Sequence, residues 1–471
     1  MTIREISSCL KDGTFTSRDL VLASLKAISE NDREGRGLNC VAEISPNALF
    51  EAEHADREIS EGRWRGPLHG IPVLLKDNID VRGMHTTAGS AALADLTAEK
   101  DAFIVCKLRE AGAVILGKAN LSEFAYWMGG NGMPSGYSSR GGQVVHAYSP
   151  GTDPSGSSSG SAVAVSAGYC SYTIGTETDG SLMSPAAANA IVSIKPTVGL
   201  ISRSGILPLS PIQDSAGPMC TCVEDAAAVL SAIAGCDPDD PATLTCRTSD
   251  YTGCLTGDLH GLRVGILVTE KSEPYSGELS QARRLLADAG AETVDISPEK
   301  LMLREDLALT YEFKQALDLY LSGHNSRMRS LRDIVAYNNA DPETCLRYGQ
   351  ALLEASLTTS GTLTEPEYIK SRTSLYRESR DLLYGLLEDN GVDCLLGAGP
   401  GPVSNLSPIS GCPCMGLPAA EPDEDDFHPD SYYLMAGAYR EDILLRTAFV
   451  LEKGLSLRCR PSWVKEYPDL D

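Results

Sequence analysis

The stretch GTDPSGSSSGSAVAV, residues 151–165, decides how the chain is interpreted, because a glycine- and serine-rich tract runs directly into an apolar one. Composition alone does not separate a flexible linker from a functional segment, since Gly/Ser-rich tracts usually behave as coil. The context favours a site, because the stretch continues into SAVAVSAGYCSYTIGTETDGS, residues 161–181, which is apolar enough to be buried. Glycine lets a backbone approach a substrate closely, and serines supply hydroxyl groups. Such a site needs a chemical partner elsewhere in the chain.

Length and charge bound the classes of function. The 471 residues are 42% hydrophobic and 22% charged, as in an ordinary globular protein with a sizeable core. The formal net charge of −24 opposes binding to nucleic acid or to an anionic membrane. The N-terminal residues lack the apolar region of a signal peptide, and no apolar run reaches the roughly 18 residues of a membrane helix. We therefore expect a cytoplasmic monomer or homodimer with no nucleic-acid or membrane partner.

Apolar runs that alternate with amphipathic segments predict an α/β fold in one domain. Residues 1–65 are predicted to be helical. In residues 66–300, GIPVLLKDN and AVILGKAN are strand-like and flank a helical DAFIVCKLREAGA, and the same alternation recurs in residues 261–297. Residues 301–390 are helix-rich and charged and are predicted to form a cap, and residues 391–471 return to the core with the strand-like VDCLLGAGP.

Histidine-based catalysis and metal binding are disfavoured. None of the seven histidines lies in the Ser/Gly-rich segments, and no G-x-S-x-G elbow joins a strand to a helix. His69, in PLHGIPVLLKDN, is better explained as a histidine bonded to backbone at the entry to a strand than as a catalytic group. Cysteines come close together only as the C-x-C pairs Cys220/Cys222 and Cys412/Cys414, which do not have zinc-site spacing. We therefore predict neither a Ser-His-Asp triad nor a metal site.

A lysine is the alternative base. Lys76 ends the apolar run IPVLL, which places its amine where a buried strand meets the active edge of an α/β sheet. Burial disfavours the charged form and can leave a neutral amine that accepts a proton. The residues alone leave two other interpretations open: Lys76 extends to solvent or pairs with Asp77, or Lys118 in GKAN is the base instead.

A second serine segment, GTETDGSLMSPAA, supplies a candidate anion site. The successive backbone N–H groups of Thr178, Asp179, Gly180 and Ser181 can form a concave nest of the kind that stabilises an acyl-transfer oxyanion. The alternative is an ordinary turn that contains glycine.

Together, GPLHGIPVLLKDN, TTAGS, GKANLSEFA, GTDPSGSSSGSAVAVSAG, IGTETDGSLMSPAA and QDSAGP resemble the amidase signature family of Ser-cisSer-Lys hydrolases, with the motifs in the family's order. Ser181 lies 24 residues after Ser157, the separation of the two catalytic serines in such enzymes. The likeness is greatest to the bacterial peptide amidases and extends over most of the chain. It implies the amidase signature fold, a large twisted mixed β-sheet covered on both faces by helices, with a helical cap insertion.

The resemblance also implies roles for individual residues. Lys76 corresponds to the base, Ser157 to the serine that follows a cis peptide, and Ser181 to the nucleophile, with Thr178 to Ser181 as the oxyanion hole. Ser158 corresponds to a supporting serine. Asp214 in QDSAGP corresponds to a supporting carboxylate, although a turn or cap aspartate explains it equally well.

The expected function is hydrolysis of a carboxamide to a carboxylate and ammonia through a seryl acyl-enzyme, with C-terminal peptide amides as the favoured substrates and no metal or organic cofactor. Asp179 stands where the widespread family pattern has a glycine, but only its backbone N–H is required. One alternative is the glutamine-hydrolysing component of a tRNA-dependent amidotransferase, the counterpart of its A chain, which Met183 disfavours because that component often has arginine there. A catalytically silent binding protein is the other alternative, and the presence of all three catalytic residues disfavours it.

Overall fold

The computed structural model describes residues 1–129, 132–424, 427–457 and 459–465. The strands are β1 Val41–Ile44, β2 Pro72–Lys76, β3 Val114–Ala119, β4 Tyr137–Ser138, β5 Gly142–Gln143, β6 Tyr172–Glu177, β7 Val192–Lys195, β8 Ser215–Cys220, β9 Arg263–Leu267, β10 Glu292–Ile296, β11 Cys394–Gly399, β12 Cys414–Pro418 and β13 Ser431–Ala436. The helices are α1 Ile3–Asp12, α2 Ser17–Asn31, α3 Ala48–Ser60, α4 Phe103–Glu110, α5 Ser159–Ser166, α6 Met183–Ala188, α7 Val223–Ile233, α8 Ser276–Asp288, α9 Asp306–Ser322, α10 Leu331–Ala340, α11 Pro342–Cys345, α12 Ala351–Leu357, α13 Pro366–Asp389, α14 Leu406–Ser410 and α15 Glu441–Leu455.

Within these residues, eleven strands form one mixed sheet in the order β1-β3-β2-β6-β8-β7-β12-β13-β11-β9-β10. Strand β2 runs parallel to both β3 and β6, whereas β8 is antiparallel to β6 and β7. Strands β12 and β13 lie between β7 and β11. They join the strands of residues 41–220 to those of residues 263–399.

Both faces of the sheet are covered at its central strands, which explains why β2, β6 and β8 are buried along their whole length. In β2, Val73 and Leu75 pack into a core with α1, α4, α7, α8 and α15, whereas Leu74 faces the opposite side and packs with α2, α3 and α5. Helices α6, α13 and α14 extend the cover on that second side. The predicted α/β fold with a large mixed sheet between helices is confirmed.

The N-terminal region contains the predicted helices and one strand that the pattern did not predict. Helices α1 and α2 each begin with a capping box, built from Thr2 with Glu5 and from Thr16 with Asp19. Strand β1 is only four residues long and pairs antiparallel with β3 at the edge of the sheet. A short edge strand with one exposed face carries too weak a periodicity to be recognised locally.

Helix α5 explains part of the composition of the opening stretch. All eight of its residues are buried, and it packs against β2, β3 and β6. Gly160 in its first turn donates its N–H to the carbonyl oxygen of Asn120 at 3.0 Å. A Cβ atom at residue 160 would lie 2.4 Å from that oxygen and 2.5 Å from the carbonyl oxygen of Cys40. Glycine is therefore required here by the close approach of two backbones.

Helices α9 to α13 account for most of residues 301–390. They pack on the segments that flank the sheet's active edge: Phe313 contacts Phe124 edge to face, and Trp127 donates its indole N–H to Ser356 Oγ at 3.0 Å. Over the part of the chain that the structure describes, every helix is too short or too polar to cross a bilayer.

We expect Gly160→Ala to lower the free energy of unfolding by about 1–3 kcal/mol, because the added methyl group forces α5 away from Asn120 and Cys40. Chemical denaturation followed by circular dichroism measures the change. Gly151→Ala is the matched control in the same stretch, since a Cβ atom there meets nothing within 4 Å. Equal stability of the two variants would contradict the packing argument.

Candidate active site

Lys76 lies at the centre of the site. It is the last residue of β2 and is 0% exposed. Its Nζ atom lies 2.7 Å from Ser157 Oγ, 2.9 Å from Ser158 Oγ and 3.1 Å from the carbonyl oxygen of Thr176. Because β2 and β6 are parallel neighbours, their carboxyl ends meet at one edge of the sheet, and this places Lys76 beside Thr176.

Burial lowers the pKa of Lys76 to about 7, against a smaller opposing effect of the negative charges of Asp214 and Glu177. Among the ion pairs of the described residues, none joins Lys76 to a carboxylate. The neutral amine is therefore well populated near neutral pH, and in that form Nζ accepts a hydrogen bond from a serine hydroxyl.

Lys118, the other lysine considered as a base, has different contacts from Lys76. Lys118, on the neighbouring strand β3, is also fully buried, but its Nζ lies 3.2 Å from Asp77 Oδ1 and donates to the carbonyl oxygen of His85 at 2.7 Å. Thr87 donates its hydroxyl to the other oxygen of Asp77. Asp77 is thus paired with Lys118, which leaves Lys76 to the serines.

The turn before α5 presents two serines to the lysine. The Gly156–Ser157 peptide is cis, as the resemblance implies, and the carbonyl oxygen of Ser157 accepts from the N–H of Ser122 at 3.1 Å. Ser158 Oγ donates to the carbonyl oxygen of Thr176 at 3.0 Å, and its N–H donates to the carbonyl oxygen of Ser181 at 3.3 Å. Both hydroxyl groups are buried at the lysine.

The loop after β6 carries the predicted nest. Gly180 has φ +76°, a left-handed conformation that glycine adopts without cost. Within the described chain, the N–H groups of Asp179, Gly180 and Ser181 donate to no backbone or side-chain acceptor. Ser181 is 8% exposed at the end of this loop. These donors are therefore available to an oxygen atom bound next to the Ser181 hydroxyl.

Asp214 supports the same loop. Its Oδ1 accepts from Thr178 Oγ1 at 2.5 Å, and its Oδ2 accepts from the N–H groups of Leu209 and Ser210 at 2.8 and 2.9 Å. Burial raises the pKa of Asp214 to about 6, although these hydrogen bonds lower it. Asp214 therefore closes its own turn and also contacts Thr178.

Four polar residues of the site were not predicted. Glu177, at the end of β6, accepts from the N–H groups of Leu182 and Met183 through Oε2 at 2.7 and 3.0 Å. A glutamate at the end of an otherwise uncharged buried strand was the only local signal. Gln213 stands beside Asp214 in the QDSAGP motif but was not singled out. Glu305 and Asn405 contact the loop from distant parts of the chain and left no local signal.

The site contains neither a histidine nor a metal cluster in the described residues. His69 is buried elsewhere: its Nδ1 accepts from the N–H of Arg65 at 3.2 Å, and its Nε2 lies 3.3 Å from Glu58. This contact agrees with the predicted role of a backbone-bonded histidine. Groups of three or more His, Cys, Asp or Glu side chains placed to hold a metal ion are absent from the described chain.

Known proteins with the same architecture exist. A family model described as Amidase matches residues 19–403. The crystal structure of native peptide amidase from Stenotrophomonas maltophilia is 40% identical in sequence and superposes with a TM-score of 0.93, covering 99% of each chain. A probable amidase of Arabidopsis thaliana is 38% identical over 481 residues, which cover 98% of this chain and 91% of that protein.

A partial relative is also found. One component of the glutamyl-tRNA(Gln) amidotransferase of Cereibacter sphaeroides, its A chain, is 40% identical over 305 residues, which cover 63% of this chain and 60% of that component. The two matches above that span nearly the whole chain are instead to a peptide amidase and a probable amidase. The lysine, the two serines and the free N–H groups of the loop lie in the segment that the family model matches, and the chain belongs to the amidase signature family.

Proposed function

We propose that this protein hydrolyses a carboxamide to a carboxylate and ammonia, with Ser181 as nucleophile, Ser157 as proton relay and Lys76 as base. The observation that carries the proposal is the buried Lys76 amine, whose pKa is lowered to about 7 and whose Nζ lies 2.7 Å from Ser157 Oγ. A neutral amine at hydrogen-bond distance from a serine is the arrangement that general-base activation requires.

In the acylation step, Ser181 Oγ attacks the amide carbonyl carbon. Its proton passes to Ser157 Oγ, and the proton of Ser157 passes to Lys76 Nζ. The carbonyl oxygen gains negative charge in the tetrahedral intermediate and is stabilised by the N–H groups of the loop from Thr178 to Ser181. Ser158 supports this relay, because its hydroxyl contacts both Nζ and the carbonyl oxygen of Thr176.

Collapse of the intermediate breaks the C–N bond. Lys76 returns its proton through Ser157 to the departing nitrogen, which leaves as ammonia, and the acyl group stays on Ser181 Oγ. Water then loses a proton to the same relay and attacks the ester carbonyl. As the C–O bond to Ser181 breaks, the relay returns that proton to Ser181 Oγ, and the released acid gives its own proton to ammonia and leaves as the carboxylate. The proton balance closes without any further group.

Peptides with a C-terminal amide are the proposed substrates. This assignment is supported by the likeness to the peptide amidase of Stenotrophomonas maltophilia over nearly the whole length of both chains. The formal charge of −24 also favours neutral or cationic substrates over anionic ones. The amidotransferase alternative is disfavoured, since a buried Met183 stands where that enzyme's component often has arginine and the match to that component is partial.

We further propose that the helices of residues 301–390 form a cap that shapes substrate choice. Two contacts support it: Phe313 packs on Phe124, which follows the GKAN motif, and Arg372 donates to Gln213 beside the catalytic loop at 2.6 Å. The helices contribute no group to the proton relay.

Ser181→Ala is expected to lower kcat/KM by about 10⁴-fold or more, because no acyl-enzyme can form without the hydroxyl. Intact-mass spectrometry after incubation with a slow amide measures the adduct directly. Ser184→Ala, three residues further along, is the matched control and retains the adduct. Formation of the normal adduct by Ser181→Ala would show that another residue is the nucleophile.

The second test concerns the charge on Lys76. The wild-type kcat/KM is expected to rise with pH as the amine loses its proton, with a midpoint near pH 7, the lowered pKa of Lys76. Lys76→Arg is expected to lower kcat/KM about 10³-fold or more, because a guanidinium stays protonated at every usable pH. Lys118→Arg is the control, since that side chain contacts Asp77 and not the serines. A folded Lys76→Arg enzyme with substantial turnover would refute the assignment.

A further inference from the structure

Two carboxyl groups are in direct contact beside the nucleophile. Asp179 lies two residues before Ser181, and its carboxyl is hydrogen-bonded to that of Glu305, the residue that precedes α9. Two buried carboxylates in contact repel each other, which favours the state in which one of them keeps a proton. A pair of this kind shares one proton, which the hydrolytic mechanism does not use.

Two side-chain amides donate hydrogen bonds to the carboxyl pair. Gln213 Nε2 donates to Glu305 Oε2 at 2.7 Å, and its amide is oriented by Arg372, whose Nη1 donates to Oε1 at 2.6 Å. Asn405 Nδ2 donates to Asp179 Oδ2 at 3.3 Å, and its own Oδ1 accepts from a backbone N–H at 2.9 Å. Each carboxyl of the pair therefore accepts a hydrogen bond from a side-chain amide.

The same network reaches the helices. Arg372 of α13 donates from Nε and Nη2 to the two oxygens of Glu312 in α9, each at 2.6 Å, and both side chains are buried. Tyr368 also donates to Glu312, at 3.0 Å, and the Ser210 hydroxyl is a further donor. A bidentate, charge-assisted pair of this kind holds its geometry closely. The two helices therefore fix Gln213, and through it Glu305.

These contacts act on the loop of residues 178–181. Besides Glu305, Gln213 Nε2 donates to the carbonyl oxygen of Thr178 at 3.3 Å, while Asp214 accepts the Thr178 hydroxyl. Asp179 is then held from the other side by Glu305. The backbone whose N–H groups form the nest is thus restrained at two successive residues.

We propose that Glu305 is a positioning residue: the proton that it shares with Asp179 holds the loop of residues 178–181 so that its N–H groups converge on the oxyanion. This role rests on the proposed amidase function. When the proton is lost, two carboxylates face each other in a buried site, and their repulsion displaces Asp179 together with the N–H groups that follow it.

The surroundings favour retention of the proton at neutral pH. Burial raises the pKa of Glu305 well above its ordinary value, and the neighbouring Asp179 raises it further. Burial likewise raises the pKa of Asp179. The charged and titratable groups that face the pair are Arg372 of α13, Glu312 of α9, Lys195 of β7, Glu177 of β6, Cys414 of β12 and Tyr433 of β13.

The test compares Glu305→Gln and Glu305→Ala with the wild type, by kcat and KM for a peptide amide across pH 5–10. The glutamine amide donates to Asp179 and accepts from Gln213 with no proton to lose. Glu305→Gln is therefore expected to keep kcat within about threefold of the wild type at pH 7 and to lack the alkaline decline of kcat that is expected for the wild type. Glu305→Ala is expected to lower kcat about tenfold or more with KM changed less than about threefold, because the N–H groups act on the transition state.

Glu299→Gln is the matched control, since Glu299 is an exposed glutamate of the same segment, and it is expected to keep the wild-type profile. An alkaline decline that persists unchanged in Glu305→Gln would overturn the proposal. So would a Glu305→Ala variant that changes only KM, because that result assigns Glu305 to substrate binding.

The thermal midpoint of unfolding, measured against pH, gives a readout that does not depend on turnover. A carboxyl whose pKa is raised by folding contributes stability that is lost as pH rises above about 4.3, its value in the unfolded chain. The midpoint of the wild type is expected to fall relative to that of Glu305→Gln as pH rises, and a constant difference would refute the shared proton. If the wild type hydrolyses no amide while the midpoints diverge, the amidase function and the positioning role both fail and the shared proton stands.

Discussion

The rest of the site depends on the desolvation of one amine. A lysine at the end of a buried strand is stable as a cation only if a carboxylate accompanies it, and otherwise it gives up its proton. Asp77, the next residue, has the position to be that partner, but Lys118 on the adjacent strand pairs with it. Lys76 is left with two serine hydroxyls and one carbonyl oxygen. Because Lys118 pairs with Asp77, Lys76 has no adjacent carboxylate and can serve as the proposed base.

The catalytic loop is stabilised mainly by buried carboxyl groups. Glu177 accepts the first N–H groups of the segment that leads into α6, and Asp214 fixes the Thr178 hydroxyl. In the proposed mechanism the N–H groups of residues 179–181 bind the substrate oxygen, so the loop is stabilised by acceptors that bind other groups. Each carboxyl has donors from the protein, so its burial does not leave an unsatisfied group.

The sequence predicted the residues whose neighbours along the chain reveal them. Lys76 follows an apolar strand, Ser157 and Ser181 lie in glycine- and serine-rich turns, and the order of the motifs indicated that they belong together. Glu305 and Arg372 left no comparable signal, because their importance comes from hydrogen bonds to residues about a hundred or more positions away. Strand β1 escaped notice for a related reason, since a short edge strand takes its conformation from its partner β3.

The position of β12 and β13 has a consequence for how the protein folds. These strands come last along the chain but lie in the middle of the sheet, between strands of residues 41–220 and strands of residues 263–399. During synthesis, strand β2, which carries Lys76, and strand β6, which precedes Ser181, emerge early and can pair with each other. One edge of β7 stays unpaired until residues 414–436, which contain β12 and β13, have been synthesised. The unpaired strand edge is the hazard of that interval, because exposed edges recruit other chains.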